Sequence, residues 1–335
     1  MKIIIDAMGG DFAPEAPVRG ALLAREKYGA DIILTGRTAD ILRELEKAGC
    51  KEVPQGIEIA NAEEVVEICD DPATAFKQKK DSSLTVGLNL LRDGQADGFI
   101  SAGSTGALLA GATLVVKRIR GLRRAALAPT IPTMTGKAVL IDCGANVDAR
   151  PSNLVQFAKM GSIYMESVMG VKNPKVGIVN IGAEEEKGNA LVKETFPLLK
   201  ACPDINFVGS VEARDIPAGV VDVVVCEAFT GNVILKTYEG VGATLISKVK
   251  KGMMSSLRSK IGALLVKPAL KQTLKAFDLE QYGGAPMLGL KGLVVKTHGS
   301  SKSVEIKNSI LQCVTFQKQQ INEKIKEKIQ LADAK

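Results

Sequence analysis

The most regular pattern along the chain is a series of apolar runs, each of which ends in glycine and small polar or charged residues. Six such segments occur, at residues 3–11, 99–106, 139–146, 176–189, 223–232 and 293–301. Strands that are apolar throughout are typical of a buried parallel sheet. In open α/β sheets, ligands bind at the loops that follow the carboxyl ends of such strands. The pattern therefore predicts a crevice rich in backbone N–H donors, which suits an anion such as phosphate.

Helix-like segments between the apolar runs complete a strand–helix alternation. Strands are predicted at 2–6, 31–35, 98–101, 138–142, 175–181, 205–208, 221–226 and 292–296, and helices at 15–28, 38–48, 83–93, 104–119, 151–169, 187–201, from 230 onward and at 302–330. Repeated β–α units predict an α/β fold with a doubly wound, mostly parallel sheet. Since no low-complexity linker divides the chain, we expect one α/β domain over residues 1–335, with 240–280 as a helical appendage within it.

The positive charge of the chain is concentrated in that appendage. The net charge is +7, from 44 Lys and Arg against 37 Asp and Glu. No acidic residue lies between Glu239 and Asp278, and the same stretch carries eight Lys and Arg, so the rest of the chain is nearly neutral. Apolar residues among the lysines of 252–275 predict two short amphipathic helices divided near Pro268.

A basic amphipathic segment of this kind binds an anionic membrane surface or an acidic partner, or is an ordinary packed helix with a solvated basic face. The complete absence of acids favours a surface that binds a membrane or an acidic partner over an ordinary packed helix. The predicted contact residues are Lys260, Leu264, Leu265, Lys267 and Lys271.

Composition argues against several classes of protein. Aromatic residues make up 4% of the chain and Trp is absent, which argues against a nucleic-acid surface built on base stacking. Six scattered cysteines and a single histidine offer no zinc pattern and favour a reducing cytoplasm, so we expect no metal and no cofactor. Because Lys2 and Asp6 bracket the first apolar run, we expect no signal peptide, and no run approaches the ~20 apolar residues of a membrane span.

Two glycine-rich loops are candidates for ligand binding, and each has a simpler structural explanation. The turn Gly103-Ser104-Thr105-Gly106 opens a helix, where Ser and Thr either cap the helix or leave its N–H groups to hold phosphate. Asp142 and Asn146 follow the strand at 138–142 in the pattern D-C-G-A-N. An acid at such a position orients a ligand or bonds the amides of its own turn.

Lys187, Asn232 and His298 are the candidates for a direct chemical role. Lys187 stands with Asn189 at a predicted helix start, where a cation opposes the helix dipole, so a second use such as anion binding is indicated. Asn232 either caps a helix or donates its amide to a developing oxyanion. His298 is the only histidine and follows a strand beside glycine, so it either has a ligand role or is structural, as a lone histidine usually is.

Motifs of other enzyme classes are missing. The chain lacks a G-x-G-x-x-G after its first strand, a G-x-x-x-x-G-K-[ST], an H-E-x-x-H and a G-x-S-x-G. Cys143 and Cys226 lie at strand ends, but without a second histidine they are better explained as small buried apolar residues.

Taken in order, the segments resemble those of the bacterial phosphate acyltransferases, which convert acyl-[acyl-carrier protein] and inorganic phosphate into acyl-phosphate for phospholipid synthesis. The matching motifs are D-A-M-G-G-D, S-A-G-x-T-G-A, G-A-N-V-D, Q-F-A-x-M-G, E-E-x-K-G-N, R-D-I, F-T-G-N, Y-G-G-A-P and H-G-S-S, spread over residues 6–301. The chain departs from the usual pattern at Phe12, Ser104 and Glu227-Ala228, where the family usually has His, Asn and Asp-Gly.

The resemblance implies a fold like that of isocitrate dehydrogenases and phosphotransacetylases, and a homodimer. It also implies a cytoplasmic enzyme at the inner face of the membrane, which passes acyl-phosphate to a membrane glycerol-3-phosphate acyltransferase. The acidic carrier protein or anionic lipid would be the partner of the basic appendage.

A mechanism without a protein nucleophile follows as a hypothesis, because phosphate is partly a dianion near neutral pH (pKa ~6–7) and attacks the thioester directly. The expected roles fall into three groups. The first group holds phosphate and consists of Gly9, Gly10, Lys187 and the turn Gly103, Ser104, Thr105 and Gly106. The second group, Asn232 and His298, contacts the oxyanion or acyl carbonyl. In the third group Asp142 and Asn146 orient the ligands, and Asp6, Asn189 and Gly231 complete the binding site.

Two other function classes stay open on sequence alone. A nicotinamide-dependent dehydrogenase of the isocitrate-like fold is disfavoured by the missing dinucleotide motif. A non-catalytic module that binds acyl carrier or a lipid surface would need the basic appendage but neither Lys187 nor Asn232.

Overall fold

The strands of the protein form two mostly parallel sheets with helices packed against them, as seen in a computed structural model. The structure describes residues 1–67, 69–72, 74–276 and 283–333. Residues 277–280 of the predicted appendage, Tyr282 of the Y-G-G-A-P motif and the side chain of Lys271 lie outside the described part.

The first sheet has seven strands in the order β3-β2-β1-β4-β12-β11-β5. Its strands are β1 (Lys2–Asp6), β2 (Asp31–Gly36), β3 (Ile57–Asn61), β4 (Gly98–Ser101), β5 (Ala126–Leu127), β11 (Ala285–Leu288) and β12 (Leu293–Lys296). The five strands from β3 to β12 run parallel, and β11 is antiparallel to both of its neighbours. The carboxyl ends of β1, β4 and β12 therefore lie side by side at one edge.

The second sheet has five strands in the order β6-β7-β10-β8-β9. They are β6 (Thr130–Thr133), β7 (Gly136–Ile141), β8 (Lys175–Asn180), β9 (Asn206–Glu212) and β10 (Val223–Val225), and only β6 is antiparallel to its neighbour. The candidate loops after β7, β8 and β10 consequently share one edge.

The helices follow the strands in the alternation that the sequence predicts. They are α1 (Glu15–Tyr28), α2 (Thr38–Lys47), α3 (Ala75–Gln78), α4 (Ser83–Arg92), α5 (Thr105–Gly111), α6 (Pro151–Ser167), α7 (Ala190–Lys200), α8 (Ala228–Met253), α9 (Leu257–Ala276), α10 (Ser303–Lys318) and α11 (Ile321–Asp333), with a π-helical turn at Ala112–Val116 and a 3₁₀ turn at Ile216–Ala218.

One hydrophobic core contains side chains from both sheets. Ile3 and Ile32 of the first sheet and Val139 and Val176 of the second belong to the same buried cluster, and none of the four is exposed. Burial of such side chains removes apolar surface from water, which is the main force that stabilises the fold. The central strands β4, β10 and β12 are buried along their whole length, whereas the edge strands β3 and β9 are partly exposed.

The predicted α/β class is confirmed, and several details of the sequence prediction need correction. The strands divide between two sheets rather than forming one, because β5 and β6 turn the chain from the first sheet into the second. The closing helix breaks at Gln320, which adopts the left-handed φ of 52°. The sequence prediction did not include β3, β5, β6 and β11. Of these, β5 has two residues, and β6 and β11 each contain a proline, which weakens a strand prediction.

The appendage consists of the second half of α8 and the whole of α9. Pro268 lies inside α9 and does not divide two helices, so the prediction of two short helices was wrong there. Proline lacks the N–H that an interior position would use, but an exposed helix can accommodate the loss by bending. Within the described ranges, no helix is both long enough and apolar enough to span a membrane.

Candidate active site

Three glycine-rich loops of the first sheet meet where β1, β4 and β12 end. The N–H of Asp11 donates to the carbonyl oxygen of Gly299 at 2.8 Å. Gly10 has a φ of +100°, and a Cβ atom there would lie 2.8 Å from Cβ of Ala102 and 3.0 Å from the Gly299 oxygen. Only glycine fits this approach. We name the loops around Gly9, Gly10, Gly103 and Gly299 the glycine cradle.

Asp6 lies beneath the cradle and joins two of its loops. Its carboxylate is buried and accepts hydrogen bonds from Ser101 Oγ at 2.7 Å and from the N–H of Met8 at 3.1 Å. Burial raises the pKa of Asp6, and these hydrogen bonds oppose that shift. A side chain used in this way positions the loops, so the geometry favours a supporting role for Asp6 over direct ligand binding.

The turn after β4 largely serves the helix that it begins. Ser104 caps α5, since its Oγ accepts the N–H of Ala107 at 3.5 Å, and Thr105 is the first residue of that helix. The N–H of Gly103 donates to Ser101 Oγ at 3.0 Å. Gly106 packs against Pro72, whose Cβ would lie 2.9 Å from a Cβ at Gly106. Of the two explanations that the sequence left open, helix capping is the one that the contacts show.

Lys296 is a buried cation at the cradle that sequence reasoning missed. It ends β12, and its Nζ donates to the carbonyl oxygens of Ala102, at 3.3 Å, and of Thr297. Burial and the nearby charge of Lys236 lower the pKa of Lys296 to about 8, although Asp6 and Asp11 act in the opposite direction. The signal for it in the sequence was a charged residue at the end of an apolar strand, in Leu293–Lys296.

His298 follows Lys296 and contacts a second missed cation, Lys236 of α8. Its Nε2 lies 3.3 Å from Lys236 Nζ, and its Nδ1 lies 2.7 Å from Ser300 Oγ. The backbone N–H of Ser300 donates to the same Nδ1 at 3.2 Å, so this ring nitrogen accepts a hydrogen bond from the turn that follows β12. Partial burial and the charge of Lys236 lower the pKa of His298, which keeps the ring neutral at neutral pH.

Asp142 and Asn146 form a buried pair that links the two sheets. Asp142 accepts the N–H of Leu127 in β5 at 2.9 Å and the side-chain amide of Asn146 at 2.7 Å. Asn146 also donates this amide to the carbonyl oxygen of Ala125 at 2.7 Å. Burial raises the pKa of Asp142, with hydrogen bonds from Asn146 opposing the shift. The pair therefore bonds its own turn and the neighbouring sheet, which was the simpler of the two explanations considered.

Lys187 and Asn189 lie in the loop after β8, on the second sheet. Asn189 caps α7 by accepting the N–H of Val192 at 2.9 Å, so Lys187 lies two residues before the cap and not within the first turn of the helix. Lys187 Nζ is half-exposed and pairs with Glu184 at 2.9 Å, a contact that raises the pKa of the lysine. Among the described residues, no hydrogen bond or ion pair joins Lys187 to the glycine cradle.

Asn232 and Gly231 lie in the first turns of α8. Glu227 caps this helix, accepting the N–H groups of Phe229 at 2.6 Å and Thr230 at 2.8 Å, so Asn232 is not the cap. Asn232 is exposed and precedes Lys236 by four residues, which places both on the same face of α8. A Cβ at Gly231 would collide with the carbonyl oxygen of Asp142, so the glycine permits α8 to lie against the end of β7.

Four of the five predicted contact residues of the appendage are exposed on α9, and the side chain of the fifth, Lys271, lies outside the described part. The side chains of Leu264 and Leu265 are 71% and 77% exposed, and Lys260 and Lys267 are exposed beside them. Apolar side chains that face solvent in a basic helix fit the expectation of a surface contact.

Solved structures of enzymes share the fold of this chain. A phosphotransacetylase from Streptococcus pyogenes is 19% identical, with a TM-score of 0.63 over 96% of this chain and 94% of its own. A 4-hydroxythreonine-4-phosphate dehydrogenase from Klebsiella pneumoniae is 13% identical, with a TM-score of 0.53 over 94% of this chain and 98% of its own. The predicted phosphotransacetylase-like α/β fold is thereby confirmed.

Sequence relatives define the class of enzyme. The phosphate acyltransferase of Clostridium novyi (strain NT) is 49% identical over 98% of this chain and 99% of its own length. That of Clostridium acetobutylicum is 50% identical over the same shares. The chain is thus an α/β acyltransferase, and of the function classes left open by the sequence this one is confirmed.

The particular family follows from the match to a family model. Residues 1–324 match the model described as "Fatty acid synthesis protein". The chain belongs to this family, within which it groups with the phosphate acyltransferases, as the ordered motifs predicted.

Proposed function

We propose that the protein transfers an acyl group from the thioester of acyl-[acyl-carrier protein] to inorganic phosphate, forming acyl-phosphate for phospholipid synthesis. The observation that carries the proposal is the glycine cradle with Lys296, Lys236 and His298 at its side. Such a site combines close backbone approach with two cations, which is what a phosphate dianion requires.

Phosphate itself is the nucleophile in this proposal. One of its oxygens attacks the thioester carbonyl carbon, the C–S bond breaks, and the carrier's thiolate leaves and takes a proton from water. The chain's own thiols at the strand ends are poor competitors, because burial raises the pKa of both Cys143 and Cys226 well above its usual value. They stay protonated, so direct attack by phosphate is favoured over an acyl-enzyme.

The catalytic tasks are positioning and charge stabilisation. Gly9, Gly10 and Gly103 with Lys187 hold the phosphate. The exposed amide of Asn232 and His298 contact the oxyanion or acyl carbonyl, and Lys236 adds a positive charge beside His298. Lys187 follows β8 of the second sheet and the cradle belongs to the first, so the proposal places the phosphate between the two sheets. Asp6, Asp142 and Asn146 act as positioning residues through the contacts described above.

The appendage supplies the partner surfaces. Its lysines suit an acidic carrier protein and an anionic lipid surface, and Leu264 and Leu265 provide apolar contact for the lipid. On α8, Val241, Leu245 and Val249 form an exposed row at four-residue spacing, which supports pairing with a second copy as a homodimer. The enzyme would then work in the cytoplasm at the inner face of the membrane and hand acyl-phosphate to a membrane glycerol-3-phosphate acyltransferase.

One assay tests the reaction. The protein is incubated with hexadecanoyl-[acyl-carrier protein] and phosphate, and acyl-phosphate and free thiol are measured over time. We expect the two products in equal amounts and no thiol release without phosphate. Thioester cleavage at the same rate in phosphate-free buffer, or an acyl group trapped on a Cys or Ser of the protein, would contradict the proposal.

A further inference from the structure

A cavity of about 380 Å³ lies between α7 and α8, where β8 and β10 end. Its volume falls in the range of small-molecule sites, roughly 300–1,000 Å³. The side chains that form most of its wall are aliphatic: Leu154, Ile178, Leu191, Val192, Val233 and Ile234.

The polar side chains in the wall are engaged with the protein itself. Asn180 donates its amide to the carbonyl oxygen of Lys187 and to Ser210 Oγ, both at 3.1 Å, and its Oδ1 accepts the N–H of Ile181 at 2.8 Å. Asn189 and Glu227 cap the two helices that flank the cavity. A polar ligand would therefore have to displace existing bonds, whereas an apolar ligand would not.

The mouth of the cavity is also apolar. Ile181 is 78% exposed, Phe229 65% and Val233 48%. Large apolar side chains that surround an apolar cavity and face solvent indicate that an apolar molecule covers them during function.

The cavity adjoins the proposed reaction centre through α8. Phe229 and Val233 line the cavity, while Lys236 of the same helix contacts His298. Asn232 lies between Phe229 and Lys236 along α8. Lys187 lies next to the cavity, because its carbonyl oxygen accepts a hydrogen bond from Asn180 of the cavity wall. A chain held in the cavity would thus end near the residues proposed to act on the thioester.

We propose that this cavity binds the hydrocarbon chain of the acyl donor, so that its walls set the preference for acyl-chain length. The inference rests on the proposed function, which supplies a substrate with one apolar arm and one reactive end. Each methylene that moves from water onto an apolar wall raises affinity about fourfold, and among the described residues this cavity provides such a wall beside α8.

The kinetic test narrows the mouth and compares two chain lengths. Val233→Trp places a bulky ring over the cavity, and Val208→Trp is its matched control, since Val208 is 50% exposed on β9 and away from the cavity. We expect Val233→Trp to lower kcat/KM for hexadecanoyl donor about tenfold more than for butanoyl donor. The control Val208→Trp should leave the ratio of kcat/KM for the hexadecanoyl donor to kcat/KM for the butanoyl donor unchanged. Equal losses on both donors would overturn the inference.

A binding test works without turnover. The chain contains no Trp, so each variant has a single indole whose fluorescence reports its surroundings. A fatty acid brominated in mid-chain should quench the indole of Val233→Trp and leave that of Val208→Trp bright; thermal unfolding of both variants checks that they fold. Equal or absent quenching would overturn the inference. If the unmodified protein made no acyl-phosphate, the proposed function would fail, while the quenching result would still decide whether the cavity takes an acyl chain.

Discussion

The ammonium of Lys236 on α8 lies 3.3 Å from Nε2 of His298, which follows β12. This contact joins a helix that follows the second sheet to a loop of the first. It places a fixed cation beside the only histidine of the chain. Together with partial burial, this cation lowers the pKa of His298 and keeps its imidazole neutral at neutral pH.

The first prediction concerns the pKa of His298. Lys236→Met should raise this pKa towards the ordinary value of 6.5, because the neighbouring cation disfavours protonation of the ring. Proton NMR of the single histidine measures it directly. Lys248→Met, on the exposed second half of α8, should leave the titration unchanged. An unaltered pKa in the Lys236 variant would show that the contact is absent in solution.

The second prediction concerns pH and phosphate binding at Lys296. Its pKa is about 8, so the ammonium is present below that pH and is lost above it. The KM for phosphate should therefore rise as the pH passes through 8. Ionisation of phosphate itself does not cause this rise, because its pKa of ~6–7 lies lower. Loss of a charged hydrogen-bond donor costs about 1.5–3 kcal/mol, which is roughly tenfold or more in KM.

Lys296→Met provides the control for this pH profile. The variant should show a raised phosphate KM at pH 7 and no further rise near pH 8, because it has no group to deprotonate. A wild-type KM that stays flat between pH 7 and 9 would remove Lys296 from phosphate binding.

The third prediction separates catalysis from stability at Lys187. Lys187→Ala should lower turnover ~10²-fold, because the proposal gives this cation to the bound phosphate. The thermal unfolding midpoint should hardly change, since the pair with Glu184 is exposed and such pairs stabilise little. Lys193→Ala, an exposed lysine of α7, should alter neither quantity. Undiminished acyl-phosphate formation in the Lys187 variant would exclude it from the mechanism.

The fourth prediction compares two glycines of α8. Gly231→Ala should destabilise the protein by about 1–3 kcal/mol or more, because its Cβ meets the carbonyl oxygen of Asp142. Gly240→Ala meets no atom within 4 Å and should stabilise the helix by up to about 1 kcal/mol. Urea unfolding gives both values. Similar effects at the two positions would mean that α8 does not approach β7 as described.

The fifth prediction concerns the basic appendage. Leu264→Glu or Leu265→Glu should reduce sedimentation with anionic vesicles about tenfold, because each removes an exposed apolar contact and adds a negative charge. Acyl-phosphate formation without vesicles should persist. Leu42→Glu, an exposed leucine of α2, serves as the matched control. An equal fall in soluble activity would instead make α9 part of the active site.

Much of the local structure was predictable because it depends on neighbouring residues. The apolar strand Lys2–Asp6 and the helix Glu15–Tyr28 appear where the pattern placed them. Asn189 was expected at a helix start, where it is the cap. Pro268 was misjudged because the local rule predicts a break at proline, whereas α9 continues through this residue.

The candidate site was predictable only in part. His298 and the glycines of the cradle were found from the loops that carry them, but Lys296 and Lys236 were missed. For Asp142 and Asn146 the sequence left two explanations open, and the structure shows their bonds to their own turn and to residues 125 and 127, while contact with a ligand stays a prediction. Their partners Leu127 and Ala125 precede them by many residues, and no periodic pattern reveals such pairs.

By itself, the sequence determined the α/β class, the order of strands and helices, and the glycine-rich loops at the strand ends, because hydrophobic period and turn chemistry act over a few residues. Only the tertiary structure decided that the strands form two sheets, that Lys236 meets His298, and that an apolar cavity lies beside α8. These features depend on contacts between residues far apart in the chain, and such contacts are selected by the packing of the whole core.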